Sequence, residues 1–405
     1  MTHPMSRREF AAAAAVAVPA RVPGANDRIG IGMIGCGRRG LLKEVLEFAR
    51  ETNVEVVAVC DTWKQPREEA VAQVRAALGR APEAFVHYRD LLGAKGVDAV
   101  VIGTPDHQHC TQLTAAARAG KDAYVEKPLA MDMKELTLAV DTVKKQNRIV
   151  QCGTQIRSYP PSVSARAFVT SGGLGKLLKV EQSRNGYQPY WVSYADRKIE
   201  AADVDWKAFL MHRRPRPFDA EQYAGWYGYR DFSRGPHTNL MVHFIDLVHF
   251  ITGAQTPRRV VTLGGTYRWK GKFDVPDSVE TILEYPEGFL VRYNTTFGSG
   301  ANSFFKIVGT RGVIDATRWQ WDKPFALSGD GSGEPDKIKP GSQIPMLEST
   351  PHMKNWLECL RSRKQPLAPI DAGYTHSVAV IMADEALIRG KRMVYDAAKR
   401  AIREG

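Results

Sequence analysis

The sequence has few cysteines and no arrangement of them that suits a structural metal or a disulfide framework. The five are Cys36, Cys60, Cys110, Cys152 and Cys359. No two of them form a C-x-x-C pair and their number is odd, so the pattern predicts neither a zinc site nor a set of paired disulfides. We therefore expect a protein without a bound metal that folds in a reducing compartment.

The chain also lacks a long apolar run, a dense basic block and an internal repeat. No stretch is long and apolar enough to cross a bilayer as a stable helix. The net charge is +12, yet lysine and arginine are spread along the chain, mostly beside acidic residues. This distribution argues against a nucleic-acid partner and favours a soluble surface that can attract acidic substrates. With 405 residues, the chain is long enough for about two to three domains.

The first 25 residues have the composition of an export signal. The segment S-R-R-E-F at 6–10 precedes an alanine-rich apolar run at 11–18, and proline and alanine follow at 19–20. Twin arginines, a phenylalanine and a weakly apolar run resemble a bacterial twin-arginine signal. A disordered alanine-rich tail is the alternative. We predict a signal over 1–25, a periplasmic or otherwise exported location, and no membrane contact after its removal.

A glycine-rich turn follows the first predicted strand. Gly35, Gly37 and Gly40 fit the pattern G-x-G-x-x-G, with an apolar strand before them and helical spacing after them. The first glycine permits a tight turn, the second lets the backbone approach a pyrophosphate, and the third lets helix and strand pack closely. The N–H groups at the start of the helix then face the phosphates. We expect Arg38 and Arg39, inside the turn, to contact the cofactor as well.

The next strand, over 54–60, ends in Asp61. A carboxylate about 20 residues beyond the last glycine accepts hydrogen bonds from the ribose hydroxyls of NAD and repels the 2′-phosphate of NADP. Lys64 and Arg67 are close in sequence and weaken that argument. We predict NAD as the cofactor, with NADP as the less favoured alternative.

Two domains are expected from the pattern that follows. Over 26–150, short apolar strands alternate with helices, which predicts a doubly wound parallel sheet of the Rossmann type. Over 151–405, alternating strands separated by turn residues predict an α+β domain with a large, mainly antiparallel sheet. In parallel sheets ligands bind beyond the carboxyl ends of strands, where Thr104 and Lys127 also fall.

Three stretches together make a family resemblance specific. The first is the glycine-rich turn. The second is Thr104-Pro105-x-x-x-His109, followed by Glu126-Lys127-Pro128 at the end of the next strand. The third is Thr238-Asn239-x-x-x-His243-x-x-Asp246. In this combination the chain resembles the glucose–fructose oxidoreductase / inositol dehydrogenase / rhizopine catabolism (Gfo/Idh/MocA) family. The resemblance covers nearly the whole mature chain, and residues 355–363 resemble the family's secreted bacterial branch.

The resemblance implies roles for these residues. Lys127 would lie beside the nicotinamide and a substrate hydroxyl, where burial lowers its pKa and lets it accept a proton. His243 would be the second proton-transfer group, with a hydrogen-bonded core histidine as the alternative. Many relatives carry Asp where this chain has Asn239, and an amide can orient a neighbour but cannot act as a base. Asp246 shares the helix face of Asn239 and His243, and we predict that all three contact substrate.

The resemblance also implies further contacts. Thr104, Pro105, His109 and Glu126 would line the cofactor cleft. Gln155 and Arg157, after the last strand of the first domain, would lie near the nicotinamide or substrate, or would form a solvated linker.

The resulting prediction is an NAD-dependent oxidoreductase that acts on a hydroxyl of a sugar, polyol or glycoside, with a tightly bound cofactor and a homo-oligomeric assembly through the sheet. Free NAD is scarce outside the cytoplasm, so an exported enzyme would have to carry and recycle its cofactor. One alternative is a redox-neutral glycosidase or lyase that works through a transient 3-keto sugar. A second is a non-catalytic sugar-binding protein on the same fold.

Overall fold

The computed structural model describes residues 28–405. The predicted export signal at 1–25 lies outside the described residues. Within them, the fold class is the predicted one: a parallel Rossmann-type sheet followed by a domain built on a mainly antiparallel sheet. None of the helices in this part of the chain is long and apolar enough to span a membrane.

The first domain is a six-stranded parallel sheet in the order β3-β2-β1-β4-β5-β6. Its strands are β1 (Ile29–Ile34), β2 (Val54–Cys60), β3 (Glu83–Phe85), β4 (Ala99–Ile102), β5 (Asp122–Val125) and β6 (Val150–Cys152). Its helices are α1 (Leu41–Phe48), α2 (Lys64–Leu78), α3 (Tyr88–Gly93), α4 (His109–Arg118) and α5 (Met133–Lys145). Strand order reverses between β1 and β4, and this switch point opens a crevice at the carboxyl ends of the strands.

The second domain contains a nine-stranded sheet in the order β13-β12-β11-β7-β10-β9-β8-β14-β15. Its strands are β7 (Leu177–Ser183), β8 (Arg259–Gly265), β9 (Ser278–Glu284), β10 (Leu290–Thr296), β11 (Phe304–Gly309), β12 (Gly312–Asp315), β13 (Ala326–Ser328), β14 (Met393–Asp396) and β15 (Ala401–Glu404). β7 and β10 pair in parallel and the other neighbours are antiparallel. Alternate residues face inward, as Val291 and Tyr293 do in β10.

Helices cover the inner face of this sheet: α10 (Val242–Thr252) packs on it through Phe244, α12 (Ile370–Arg389) packs along β8, and α6 (Pro160–Thr170) packs against α10. A fourth helix, α11 (His352–Ser362), comes later in the chain, after β13. α11 packs back on the Rossmann domain, where Trp356 and Leu357 share one apolar core with Ile31 and Val45. This packing fixes the two domains against each other.

The segment between β7 and α10 had no clear pattern in the sequence. It contains three short helices, α7 (Tyr190–Ala195), α8 (Trp206–Leu210) and α9 (Ala220–Ala224). We call residues 190–228 the cover segment, because they lie over the ends of the Rossmann strands. Asp205 N donates to Thr62 O at 2.8 Å, and Val204 forms a β-bridge with Trp63. A small aromatic core, in which Trp206 stacks on Phe209 with ring centres 5.1 Å apart, stabilises the segment.

Candidate active site

A cleft of about 1330 Å³ opens at the carboxyl ends of β1, β2, β4 and β5. Many of the predicted site residues line it: Gly35, Gly37, Arg38, Arg39, Gly40, Asp61, Thr104, Pro105, Glu126, Lys127 and Asn239. The cover segment supplies the opposite wall, with Tyr194, Phe209 and Tyr227 among its lining residues. The cleft therefore lies between the strand ends of the Rossmann domain and the cover segment.

The glycine-rich turn has the geometry that a pyrophosphate requires. Gly35 has a φ of 88°, and a Cβ there would lie 2.8 Å from the backbone of Gly103, so a side chain cannot be accommodated. A Cβ on Gly37 would meet no atom within 4 Å, so this glycine leaves space in the cleft. Gly40 caps α1 without a side-chain hydrogen bond among the described residues, so N–H groups of its first turn can face phosphate oxygens.

The Asp61 side chain stabilises the glycine-rich turn through hydrogen bonds to the backbone. One carboxylate oxygen accepts a hydrogen bond from Cys36 N at 2.8 Å and the other from Trp63 N at 2.9 Å. Burial raises the pKa of Asp61, and the two N–H donors and Arg67 oppose that shift. Each oxygen keeps a further acceptor site for a ribose hydroxyl. Arg67 donates to the Asp61 carbonyl at 2.7 Å, so its guanidinium is already engaged there.

Glu126 connects the turn to the lysine that follows it. Its side chain is only 5% exposed, accepts from Arg39 Nε at 2.7 Å and accepts from Lys127 N at 3.1 Å. Gly153 leaves room for it, since a Cβ there would lie 2.7 Å from the carboxyl carbon. The Lys127–Pro128 peptide bond is cis. Glu126 thus positions Arg39 and the backbone of Lys127.

The ammonium of Lys127 donates to the carbonyl of Asn239 at 2.9 Å. Burial lowers the pKa of Lys127, while Glu126 and Asp106 oppose the shift. The carbonyl belongs to a π-helical turn, His237–Met241, directly before α10. The Asn239 side chain points elsewhere and donates to Ser233 Oγ at 2.7 Å. Asn239 therefore contacts Lys127 through its backbone carbonyl, and the predicted orienting role of its side chain stays a prediction.

His243 lies in the first turn of α10 with Nδ1 buried and without a hydrogen-bond partner among residues 28–405. Burial lowers its pKa well below the usual value, and the charges of Lys127 and Arg184 lower it further. The ring is therefore neutral near pH 7 and can accept a proton. Lys127 lines the cleft, whereas His243 is not among its lining residues. The charge of Lys127 acts on the pKa of His243, and the predicted proton-transfer role of His243 stays a prediction.

Arg157 and Asp246 face each other in a buried ion pair. Arg157 Nε and Nη2 lie 2.9 and 2.6 Å from the two carboxylate oxygens, and His376 Nδ1 lies 3.2 Å from one of them. Although burial acts to raise it, Arg157 and His376 hold the pKa of Asp246 below its ordinary value. The pair ties α10 to the end of the Rossmann domain. Both side chains are committed to this contact, and their binding to substrate stays a prediction.

Gln155 lies beside Arg39. With its amide oriented to satisfy its neighbours, it donates to Gly153 O at 2.7 Å and accepts from Arg39 Nη2. We expected His109 to line the cleft, but it is only 1% exposed and is not among the lining residues. Its ring nitrogens each lie 2.7 Å from a carbonyl oxygen, of Pro128 and of Thr104. His109 therefore connects two strand ends, and any effect on the cofactor is indirect.

Sequence reasoning missed Asp106 and the cover segment. Asp106 is 3% exposed and accepts from Ser233 Oγ at 2.9 Å, which places a buried carboxylate near Lys127. Its position just after a strand end, next to Pro105, could have drawn attention to it. Among the described residues, no three His, Cys, Asp or Glu side chains are grouped so that they could hold a metal ion.

Comparisons with known proteins agree with this geometry. Residues 29–154 match the model of the oxidoreductase family with an NAD-binding Rossmann fold, and residues 206–315 match the GFO/IDH/MocA C-terminal domain. The first domain is thus an NAD-binding Rossmann domain.

Two curated relatives illustrate the range of similar proteins. A "Glycosyl hydrolase family 109 protein" from a Shewanella species is 30% identical over 159 residues, which are 38% of this chain and 34% of the relative. An "Inositol 2-dehydrogenase/D-chiro-inositol 3-dehydrogenase" from Lactiplantibacillus plantarum is 31% identical over 183 residues, 44% of this chain and 50% of the relative. The chain spans a third to a half of the length of these relatives.

Solved structures share the fold over most of the chain. The WlbA dehydrogenase from Bordetella pertussis, solved with NADH and UDP-GlcNAcA, is 19% identical with a TM-score of 0.68, over 91% of this chain and 99% of that one. Levoglucosan dehydrogenase in complex with NADH is 19% identical with a TM-score of 0.64, over 93% and 99%. Because both structures are 19% identical to this chain, the similarity establishes a shared fold.

Proposed function

Because the chain belongs to the GFO/IDH/MocA oxidoreductase family, we propose that it is an NAD-dependent enzyme that oxidises a hydroxyl group of a sugar, polyol or glycoside. The observation that supports this most directly is Lys127, which lines the cofactor cleft and donates to the carbonyl of Asn239. Burial lowers its pKa, which favours the neutral amine. Removing hydride from a carbon requires a base on its hydroxyl, and we propose Lys127 as that base with His243 as a second proton acceptor.

The residues present fit the cofactor. The glycine-rich turn and the first turn of α1 would hold the pyrophosphate, and Asp61 would accept from the adenine ribose. NAD⁺, when bound there, supplies the hydride acceptor.

The chain's own groups would then handle the proton. Lys127, held by the carbonyl of Asn239, accepts the proton from the substrate hydroxyl when it is in its neutral form. Neutral His243 offers a second acceptor for the same hydroxyl or its neighbour. Arg39 and Glu126 fix the backbone around Lys127, so the amine returns to one position in each cycle.

The cover segment supports the proposal that the cofactor stays bound between turnovers. It forms one wall of the cleft and is joined to the rim of the Rossmann domain by the Asp205–Thr62 hydrogen bond and the Val204–Trp63 bridge. For a dinucleotide to leave, these contacts must open. A retained cofactor must regain its starting redox state within the active site, either through a second substrate or within one reaction cycle.

A retained cofactor is compatible with export in the folded state, and we propose that the protein is exported through the twin-arginine route. The support is the segment S-R-R-E-F and the apolar run that follows it. Replacing both Arg7 and Arg8 by Lys should leave the protein in the cytoplasmic fraction with its full-length N-terminus. If the unaltered chain stays cytoplasmic and unprocessed, the proposal is wrong.

We also propose a homo-oligomer. The outer face of the sheet exposes Leu263 at 78%, Leu290 at 49% and Ile282 at 45%, and apolar residues grouped on one open face favour association. Light scattering during size exclusion measures the mass directly, and a monomer at micromolar concentration would refute this.

A second candidate function is worth testing because glycosyl hydrolase family 109 proteins are among the relatives. In a redox-neutral route, oxidation of a ring hydroxyl to a ketone acidifies the neighbouring C–H. Loss of that proton expels the glycosidic oxygen, water adds to the resulting double bond, and the hydride returns to the ketone. Lys127 and His243 could serve this route as well, and it needs a cofactor that stays bound.

The first experiment is to release and identify the nucleotide from the purified protein, then to add sugars and aryl glycosides. An oxidoreductase forms reduced nicotinamide or a paired product, whereas the glycosidase releases the aryl group with no net change in the cofactor. Lys127→Ala should lower turnover at least about 100-fold with cofactor content unchanged, and Lys134→Ala, an exposed lysine on α5, should not. Full turnover by Lys127→Ala would refute the assignment of Lys127 as the base. Absence of turnover by the unaltered protein with every sugar and aryl glycoside would favour the non-catalytic alternative.

A further inference from the structure

Arg184 follows β7 directly and continues its strand geometry. Its N–H donates to Asn294 O at 2.9 Å, which extends the parallel ladder between β7 and β10 by one residue. Side chains alternate along a strand, so Arg184 lies on the same face as Gln182, which is 5% exposed and faces the interior. The guanidinium therefore points toward the inner face of the sheet.

This guanidinium has no anionic partner in residues 28–405. The guanidinium lies over the face of the Trp319 ring, with its carbon 5.6 Å from the ring centre. By contrast, Arg39 and Arg157 each pair with a buried carboxylate. An arginine does not lose its proton, and a partly buried cation without a counter-charge is costly. The position thus holds a positive charge that an anion from outside can neutralise.

The same charge lies near the proposed catalytic pair. In the sheet, Gln182 pairs with Tyr293, whose ring stacks on Phe244 with centres 5.9 Å apart, and Phe244 follows His243 in α10. Consistent with this proximity, Arg184 lowers the pKa values of both Lys127 and His243. Arg184 thus lies on the face of the sheet against which α10, the helix that carries His243, packs.

Two further polar atoms in this region lack partners among the described residues. They are Gln182 Oε1 and Tyr190 OH, both fully buried. Buried polar atoms are normally hydrogen-bonded, so each unpaired one calls for a partner that the protein itself does not supply. Burial raises the pKa of the Tyr190 phenol, and the charge of Arg184 acts against that rise. Sugar hydroxyls are suitable partners for the amide oxygen and the phenol.

We propose that Arg184 binds a carboxylate of the substrate, and that the substrate is an acidic sugar of the uronate type. This rests on the proposed function, because it places the sugar beside Lys127 and His243. A planar guanidinium donates two parallel hydrogen bonds to a carboxylate, and its single charge matches a monoanion. Gln182 and Tyr190 then bind ring hydroxyls, and the carboxylate fixes which hydroxyl reaches Lys127.

The experiment compares three forms of one sugar that differ only at C6: the hexose, its uronate and its uronamide, each as the methyl glycoside, in gluco, galacto and manno configurations. Reduction of the cofactor gives kcat/KM for each, and calorimetry on the holoprotein gives uronate binding without turnover. We expect uronate to be preferred over uronamide and hexose. Arg184→Gln should lower the ratio of kcat/KM for the uronate to that for the hexose roughly 10- to 100-fold. The ratio cancels any effect of the lost charge on Lys127, which both sugars share.

Matched variants separate recognition from general charge or folding effects. Arg292→Gln removes the same charge from an exposed ion pair with Glu280 and should keep the uronate preference. Arg184→Lys keeps the charge but loses the planar guanidinium. Its preference for the uronate should lie between those of the unaltered enzyme and Arg184→Gln.

The outcomes separate this proposal from the proposed function. Equal kcat/KM for uronate and hexose in the unaltered enzyme, or an unchanged preference in Arg184→Gln, would overturn the role of Arg184 while leaving the oxidoreductase intact. Failure of every sugar to reduce the cofactor would overturn the proposed function. In that case, uronate binding that Arg184→Gln abolishes would still support the anion site, and absence of binding would overturn it.

Discussion

Replacing Asp246 by Asn should destabilise the protein by about 3–5 kcal/mol, because it leaves the guanidinium of Arg157 buried without its counter-charge. The side chains are 1% and 8% exposed, and both guanidinium contacts are shorter than 3 Å. Solvent screening is therefore weak. The amide can still accept one hydrogen bond from Arg157, which keeps the expected loss within that range.

Denaturant unfolding followed by tryptophan fluorescence and circular dichroism measures this loss as a change in midpoint at constant slope. Asp371→Asn is the matched control: it breaks the ion pair with Lys144, in which both side chains are more than half exposed (64% and 53%). That pair should contribute about 0–1 kcal/mol.

A double-mutant cycle with Arg157→Met isolates the pair itself. We expect the double variant to lose less than the sum of the two single variants, since neither charge is then left unpaired. A loss below about 1 kcal/mol in Asp246→Asn, or additive effects in the cycle, would refute the argument that this pair holds α10 in place.

The pair also predicts how stability changes with pH. The pKa of Asp246 is lower in the folded state than its ordinary value, so the folded protein holds that proton less tightly than the unfolded chain. Its contribution is therefore fully present above the ordinary carboxyl pKa and is lost as pH falls toward the folded value. Asp246→Asn should show a flatter decline of stability in acid than the unaltered protein.

Other predictions concern the cofactor cleft and the base. Gly35→Ala should cost about 1–3 kcal/mol of stability and weaken NAD binding, because its Cβ would clash with the Gly103 backbone. Gly37→Ala should weaken NAD binding and leave stability unchanged, because a Cβ there meets no atom within 4 Å. Equal melting curves for the two variants would contradict this. The rate should rise with pH as Lys127 loses its proton, and Arg184→Gln should move that rise to higher pH by removing a charge that lowers the Lys127 pKa; an unmoved profile would refute the coupling. Trp63→Ala should speed cofactor loss during gel filtration about tenfold, because it removes the ring that meets Tyr223 of the cover segment edge-on, with ring centres 6.0 Å apart. A retained cofactor would show that this contact does not hold it.

The sequence alone predicted those features that depend on neighbours along the chain. The Gly35 turn, the strand end at Asp61 and the strand Leu177–Ser183 all follow from local periodicity and turn chemistry. Lys127 could be located because its strand end and the following proline are sequence features. The fold class and NAD as the cofactor could be inferred for the same reason, since both depend on local patterns.

Only the tertiary structure decided which side chains face one another. Arg157 and Asp246 are 89 residues apart, and their pairing depends on how α10 packs against the first domain. That Arg184 is unpaired could not be predicted from its sequence neighbours, since a counter-charge can come from any element that packs beside it. The cover segment consists of short helices around an aromatic core and has no helical or strand periodicity. Its sequence therefore did not predict that it forms one wall of the cleft. Local sequence patterns determine the helices and strands, whereas the burial of a side chain and the partner it pairs with depend on contacts between residues that are distant in the chain.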